Sequence, residues 1–277
     1  MQVDGFEGRV AVVTGAGSGI GAALARGFVA EGAVVVVADI DGDAAAATAS
    51  DIGSAATSAR VDVADPASVD ALAEQVYATH GRTDVLCNNA GVFQGGLMWQ
   101  RTPEDWRWTL DVNVLGIVNG VRSFVPRMLE AGSDGHIVNT ASVAAFVAGA
   151  ASSPYVVSKA AALSVTECLA LDLAAVGSSI GVSVLTPSAF DTGIARTAAV
   201  RPEGYGSDPS EDGRLTADGL AAMTAKGLDP AAVVAPVLEG IRERRFLIPT
   251  RPSFEAQIRN RYDALLRREL PGPVEVD

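Results

Sequence analysis

Cysteine is nearly absent from the 277 residues: Cys87 and Cys168 stand alone, without a CxxC pair. That excludes a disulfide framework and a thiolate metal knuckle, and leaves two free, buried thiols in a reducing compartment as the expectation. Histidine is as scarce, at His80 and His136, with no second histidine at helical spacing, so no metal site is expected and both read as loop or strand-edge residues. Basic side chains are outnumbered, 21 against 33 acidic, for a net charge of −12. Such a surface repels nucleic acid and anionic lipid, which excludes both as partners. The C-terminal arginines from Arg242 to Arg268 do not change this, because Glu243, Glu255, Asp263 and Glu269 lie among them, as on a solvated or subunit-facing helix. Apolar runs such as Ala33 to Ala38 are too short for a membrane span, and residues 1–8 lack a basic start followed by an apolar stretch. A cytoplasmic protein is therefore expected. No fixed period recurs, which argues against a solenoid.

What the chain has is alternation. Short β-branched runs at 9–14, 33–39, 58–63, 84–89, 135–141, 181–187 and 244–249 are separated by Ala-rich helical patterns at about 20–31, 44–52, 66–79, 103–130 and 154–176. This is the pattern of a seven-stranded parallel sheet with helices on both faces, an α/β doubly wound domain spanning 1–277. Proline follows a capping residue at Asp65-Pro66, Thr102-Pro103 and Ser153-Pro154, marking three helix starts. From about 193 to 228 the hydrophobic period is lost in a stretch rich in Gly, Pro, Asp and Ser. Both flanks feed the same sheet, so this excursion reads as a flap over a site.

Aromatic residues make up only 5% of the chain, which sets off the stretch SSPYVVSKAA, where Tyr155 and Lys159 lie one helical turn apart. Spacing alone allows two readings: a packed ring beside a snorkelling lysine, or a proton donor beside the cation that tunes it. The first strand runs into TGAGSGIG, Thr14 to Gly21, and then directly into a helix. Gly15, Gly19 and Gly21, with Ser18 and Ile20, form a turn whose backbone amides and helix end suit a pyrophosphate. Asp39 closes the second strand, where a carboxylate can accept hydrogen bonds from a ribose 2′-hydroxyl. A 2′-phosphate at about 4 Å would be repelled by on the order of a few kcal/mol before screening. Ser18 and Ile40 supply no cation to hold such a phosphate, so NAD is expected over NADP.

With these residues in place the chain resembles the short-chain dehydrogenase/reductases, from about residue 7 to residue 195. The resemblance rests on the TGAGSGIG turn, Asp39, Asp62–Val63, NNAG at Asn88–Gly91, Asn113 in LDVNVLG, Ser142 in IVNTAS, YVVSK at Tyr155–Lys159, and Pro187 with Thr192 in PSAFDT. It implies a Rossmann-type fold, a homotetramer, and roles for single residues. Tyr155 would be the acid/base, Lys159 its tuning cation and a ribose ligand, Ser142 a donor to the substrate oxygen, and Asn113 a holder of a relay water. Asp62 and Val63 would flank the adenine; Asn89, Ala90 and Gly91 the adenosine ribose; Pro187, Phe190 and Thr192 the nicotinamide. The family usually has glycine after that proline, whereas here it is Ser188.

Such residues suit hydride transfer between an alcohol carbon and a nicotinamide, where a base must take the hydroxyl proton. Bringing a phenol of pKa near 10 to neutrality takes about 4 kcal/mol of preferential phenolate stabilisation. Phe93, Met98, Trp99, Val143, Phe146, Phe190 and Tyr205 are the candidate walls of a pocket for a hydrophobic secondary alcohol or ketone, such as a terpenoid or steroid. The alternatives are a family member that reduces or epimerises another bond, and a non-catalytic nucleotide sensor.

Overall fold

The computed structural model describes residues 5–132, 134–207 and 210–272; residues 208 and 209 of the excursion and both ends of the expected domain lie outside these. Seven strands, β1 (Val10–Thr14), β2 (Val34–Asp39), β3 (Ala56–Arg60), β4 (Val85–Asn88), β5 (His136–Thr140), β6 (Gly181–Thr186) and β7 (Leu247–Pro249), form one sheet in the order β3-β2-β1-β4-β5-β6-β7. Every pairing is parallel. Successive side chains of a strand point to opposite faces, and the valine runs exploit this on both sides. Val13, Val35, Val37, Cys87 and Val138 pack on one face against Leu24 and Phe28 of α1 (Gly19–Ala30) and Val237 and Ile241 of α8 (Val234–Arg242). Val12, Val36, Leu86 and Ile137 pack on the other. Their partners there come from α3 (Pro66–His80), α5 (Gly116–Glu130) and α6 (Ser153–Ala175), through Leu72, Phe124 and Leu169. Each fully buried Val or Leu contributes roughly 1.5–3 kcal/mol, so both faces are needed.

Several boundaries differ from the sequence reading. β3 ends at Arg60, because its ladder partner β2 ends at Asp39; Val61 and Val63 leave the sheet and turn inward. β7 begins only at Leu247, after Arg244 adopts a left-handed backbone with φ 53° behind α8. The helix expected over 103–130 is split into α4 (Pro103–Leu110) and α5 by a π-helical turn, Asp111–Leu115. Of the three proline starts, Asp65 accepts from Ala67 N, and Thr102 forms a capping box with Asp105. The third differs: Ser152 takes the N-cap position and Ser153 lies inside α6.

The excursion carries more structure than its composition indicates. It holds 3-10 turns at Gly193–Val200 and Glu203–Tyr205 and a helix, α7 (Glu211–Thr224), whose N-cap Ser210 accepts from Gly213 N. The two cysteines also part company: Cys87 is buried, with burial pushing its thiol up, whereas Cys168 is exposed on α6. His136 is no loop residue. It is the fully buried first residue of β5. Among the described residues no helix is long and apolar enough to cross a membrane.

Candidate active site

Between β1 and β4 the strand order reverses, and the crevice beyond the strand C-termini at such a point is where this architecture binds ligands. The turn Gly15 to Gly21 sits there. Thr14 Oγ1 accepts from Asn89 N at 3.0 Å and Ala90 N at 3.1 Å, and Asn89 Nδ2 donates to Thr14 O at 3.0 Å, locking the ends of β1 and β4 together. Close approach explains the glycines. At Gly15, with φ 64°, a Cβ would lie 2.7 Å from Ala90 Cα, and at Gly21 a Cβ would lie 2.2 Å from Gly15 O. Ser18 caps α1 with its backbone only, so the first-turn amides keep their donors for a ligand. This backbone cradle at a positive helix end fits a dinucleotide pyrophosphate.

Asp39 faces the same groove. Its Oδ2 accepts from Gly17 N at 2.8 Å and its Oδ1 from Asp41 N at 3.0 Å, which holds the carboxylate rigid with lone pairs left for a ribose. Asp62 and Val63 follow β3 along the groove wall, and Ile40 lies beside Asp39. At Ser188, where the family usually has glycine, the backbone amide donates to Thr250 Oγ1 at 3.0 Å, tying that loop to the chain after β7.

Ser142 leaves β5 extended and caps the 3-10 turn Val143–Ala145, its Oγ accepting from Ala144 N at 3.1 Å. Its hydroxyl donates to Pro187 O at 3.4 Å and lies near enough to the Tyr155 phenol to favour its ionised form. Lys159, one turn along α6, is buried and donates to Thr140 O at 3.1 Å, with Nζ 5.7 Å from the Tyr155 ring centroid. Burial alone lowers the Lys159 ammonium to about 8. Burial also raises the Tyr155 phenol, and only the Ser142 hydroxyl works against it. The protein side chains thus hold the hydroxyl protonated until further positive charge arrives. The Phe93 ring lies 5.2 Å from the Tyr155 ring and fixes its tilt.

Asn113 sits in the π-helical turn, buried behind these residues. Its Oδ1 accepts from Val92 N at 2.8 Å, and its Nδ2 donates to Val92 O and Ser158 Oγ, both at 2.9 Å. Ser158 Oγ in turn donates to Tyr155 O at 2.7 Å. The side chain therefore ties the chain after β4 to the start of α6, and the split helix is what turns it inward.

A cavity of about 630 Å³ unites these groups. Every residue assigned from the sequence to the dinucleotide lines it, as do Ser142, Tyr155 and Lys159; Asn113 does not. Of the expected pocket walls, Phe93, Val143, Phe190 and Tyr205 line it. Phe146 instead packs in the core against Ile117 and Ala162, and Met98 and Trp99 are exposed on a 3-10 turn away from the cavity. The sequence reading missed Val147, Ile194, Val200, Leu220 and Met223, four of them from the excursion. The apolar spacing of α7 was the available signal.

The excursion is fastened by buried charge. Arg101 Nη2 donates to Asp212 Oδ1 at 3.0 Å and Ser210 Oγ at 2.8 Å, and Arg201 Nη1 donates to Asp105 Oδ1 at 2.7 Å. The Arg201 guanidinium stacks over Trp108, 5.0 Å from its centroid, and the Tyr205 hydroxyl donates to Asp111 Oδ2 at 3.0 Å. Burial first, and then the Asp111 carboxylate it bonds, push that phenol up to about 12.

Residues 9–202 match the family model for short chain dehydrogenases. A 1-deoxy-11-beta-hydroxypentalenate dehydrogenase from Streptomyces exfoliatus is 37% identical over 271 residues, spanning 96% of this chain and 91% of that protein. A C alpha-dehydrogenase from a Sphingobium species is 31% identical over 276 residues, 98% of this chain and 89% of that one. A crystal structure of a short-chain dehydrogenase/reductase from Burkholderia phymatum in complex with NAD superposes with a TM-score of 0.94 at 38% identity. It covers 98% of this chain and 99% of the other.

Proposed function

Because the chain belongs to the short-chain dehydrogenase family, we propose that this oxidoreductase interconverts a secondary alcohol and a ketone with NAD on a hydrophobic, terpenoid-like substrate. The observation that carries the reading is the meeting of Ser142, Tyr155 and Lys159 in one cavity whose far wall is apolar. In the alcohol-oxidising direction, Tyr155 Oη takes the hydroxyl proton while Ser142 Oγ donates to the same oxygen, and the hydride leaves the alcohol carbon. Bound oxidised NAD would supply the hydride-accepting ring and the positive charge that the buried phenol lacks. Lys159 would hold ribose hydroxyls beside it.

Asp39 supports NAD over NADP, since its carboxylate stands where a 2′-phosphate would be repelled and Ile40 beside it carries no charge. Phe93, Val147, Ile194, Leu220 and Met223 support a bulky apolar substrate, as does the similarity to a hydroxypentalenate dehydrogenase. Exposed Leu115, Val118 and Leu129 around α5 and Leu171 on α6 support a homotetramer built on these helices. Scarce cysteine, with neither thiol paired, supports a reducing, cytoplasmic setting.

The test is a screen for NAD reduction across secondary alcohols of graded size. Turnover rising from acyclic to bicyclic alcohols is expected. Binding of NAD without turnover of any alcohol, or of any ketone with NADH, would leave the sensor reading instead.

A further inference from the structure

We infer that Arg196, which no motif of the sequence singled out, binds the dinucleotide pyrophosphate and is the side-chain cation of that subsite. The inference rests on the NAD-dependent reading above. It starts from two openings in the surface that meet at the glycine-rich turn. Gly17, Ser18, Gly19, Thr192, Gly193 and Arg196 line both the large cavity and a second groove behind it. Arg196 alone among these is charged. The backbone around it is close-fitting, because a Cβ on Gly19 would lie 3.1 Å from Thr192 Cγ2. The 3-10 turn Gly193–Val200 then carries Arg196 up from that contact.

Charge balance points the same way. The charged residues that line the large cavity are Asp39, Asp41, Asp62, Lys159 and Arg196. Lys159 is spent at the far end, buried and bonded to Thr140 O. A pyrophosphate seated on the amides of α1 would therefore bring two negative charges close to Asp39, in a protein of net charge −12, with Arg196 as the cation within the shared wall. Arg196 is exposed, and its guanidinium has no hydrogen-bond or ion-pair partner among the described residues. A planar, permanently charged guanidinium is suited to two phosphate oxygens at once. The same turn also places Thr197, whose Oγ1 accepts from Phe93 N at 2.9 Å, so an anchored Arg196 would hold the segment that begins the substrate wall.

The test uses ADP-ribose, which carries the pyrophosphate, and adenosine, which does not. Binding of each is followed by isothermal titration calorimetry, in the full-length protein and its Arg196→Gln and Arg196→Lys variants. Arg196→Gln is expected to weaken ADP-ribose about ten- to a hundredfold and to flatten its salt dependence. Adenosine should bind as before, which also reports an intact fold, and Arg196→Lys should recover part of the loss. Unchanged ADP-ribose affinity in Arg196→Gln, beside a wild type that binds it, would overturn the assignment alone. A wild type that binds neither probe would overturn the NAD-dependent reading, and this inference with it.

Discussion

Arg201 Nη1 lies 2.7 Å from Asp105 Oδ1, and both side chains are almost wholly buried, at 4% and 3% exposure. The bond crosses 96 positions of sequence and fastens the excursion to α4. Asp105 serves Arg101 as well, at 3.7 Å. Removing its carboxylate leaves buried guanidinium charge short of its counter-ion, which typically costs about 3–5 kcal/mol. Asp105→Ala is accordingly expected to lower the urea midpoint by that equivalent with an unchanged slope. A midpoint within error of the wild type would show that the pair holds nothing.

His136 sets an acid limit. Ser183 Oγ donates to Arg245 O at 2.6 Å, so its contact with His136 Nε2 at 2.7 Å needs the proton on Nε2. Nδ1 then faces Gly181 without a hydrogen-bond partner among the described residues. Burial, helped by Arg244 and opposed by Asp134, lowers this imidazole to about 3. Below pH of about 6.5 the unfolded chain takes up a proton that the folded chain refuses. Stability should therefore fall as pH drops from about 6.5 toward 3, by up to about 1.4 kcal/mol per pH unit from this one group. His136→Gln, which keeps a donor toward Ser183, is expected to remove that part of the slope in denaturation curves taken between pH 4 and 7.

Ala151 holds a left-handed backbone, φ 54°, in the loop that leads into α6, while its carbonyl accepts from Gly96 N at 2.6 Å. For a residue with a Cβ this conformation costs roughly 1–2 kcal/mol. Ala151→Gly is expected to stabilise the fold by about 0.5–1 kcal/mol once the entropy of the unfolded glycine is deducted. A lower melting temperature in that variant would contradict it.

Asp39→Ala should narrow the preference for NAD over NADP by at least about tenfold, the equivalent of roughly 1.4 kcal/mol of removed repulsion. The ratio of kcat/KM for the two cofactors reads this directly. An unchanged ratio would take Asp39 out of ribose recognition.

Much of the site was legible because its parts are local. The Gly15–Gly21 turn, Asp39 and the Tyr155–Lys159 pair each declare themselves within a few residues, through glycine at close approach, a carboxylate closing a strand, or two side chains one helical turn apart. The doubly wound sheet followed from alternation, since parallel strands buried on both faces leave valine runs that period alone can find. Tertiary pairings left no such trace. Nothing near Arg201 announces Asp105, the π-helical turn is invisible in LDVNVLG, and the burial of His136, expected as a loop or strand-edge residue, shows only once Ser183 is placed beside it. Met98 and Trp99 misled for the opposite reason: large apolar side chains in a loop look like pocket walls, whereas the 3-10 turn points them outward.

The central claim is that the Tyr155 hydroxyl is the group that exchanges the substrate proton. Tyr155→Phe tests it in one preparation, by measuring NAD affinity calorimetrically and NADH formation with the best alcohol of the size-graded screen. Affinity within about twofold of the wild type, with turnover reduced by about 10²–10⁴-fold, is the expected result. Turnover within a few-fold of the wild type would contradict the account.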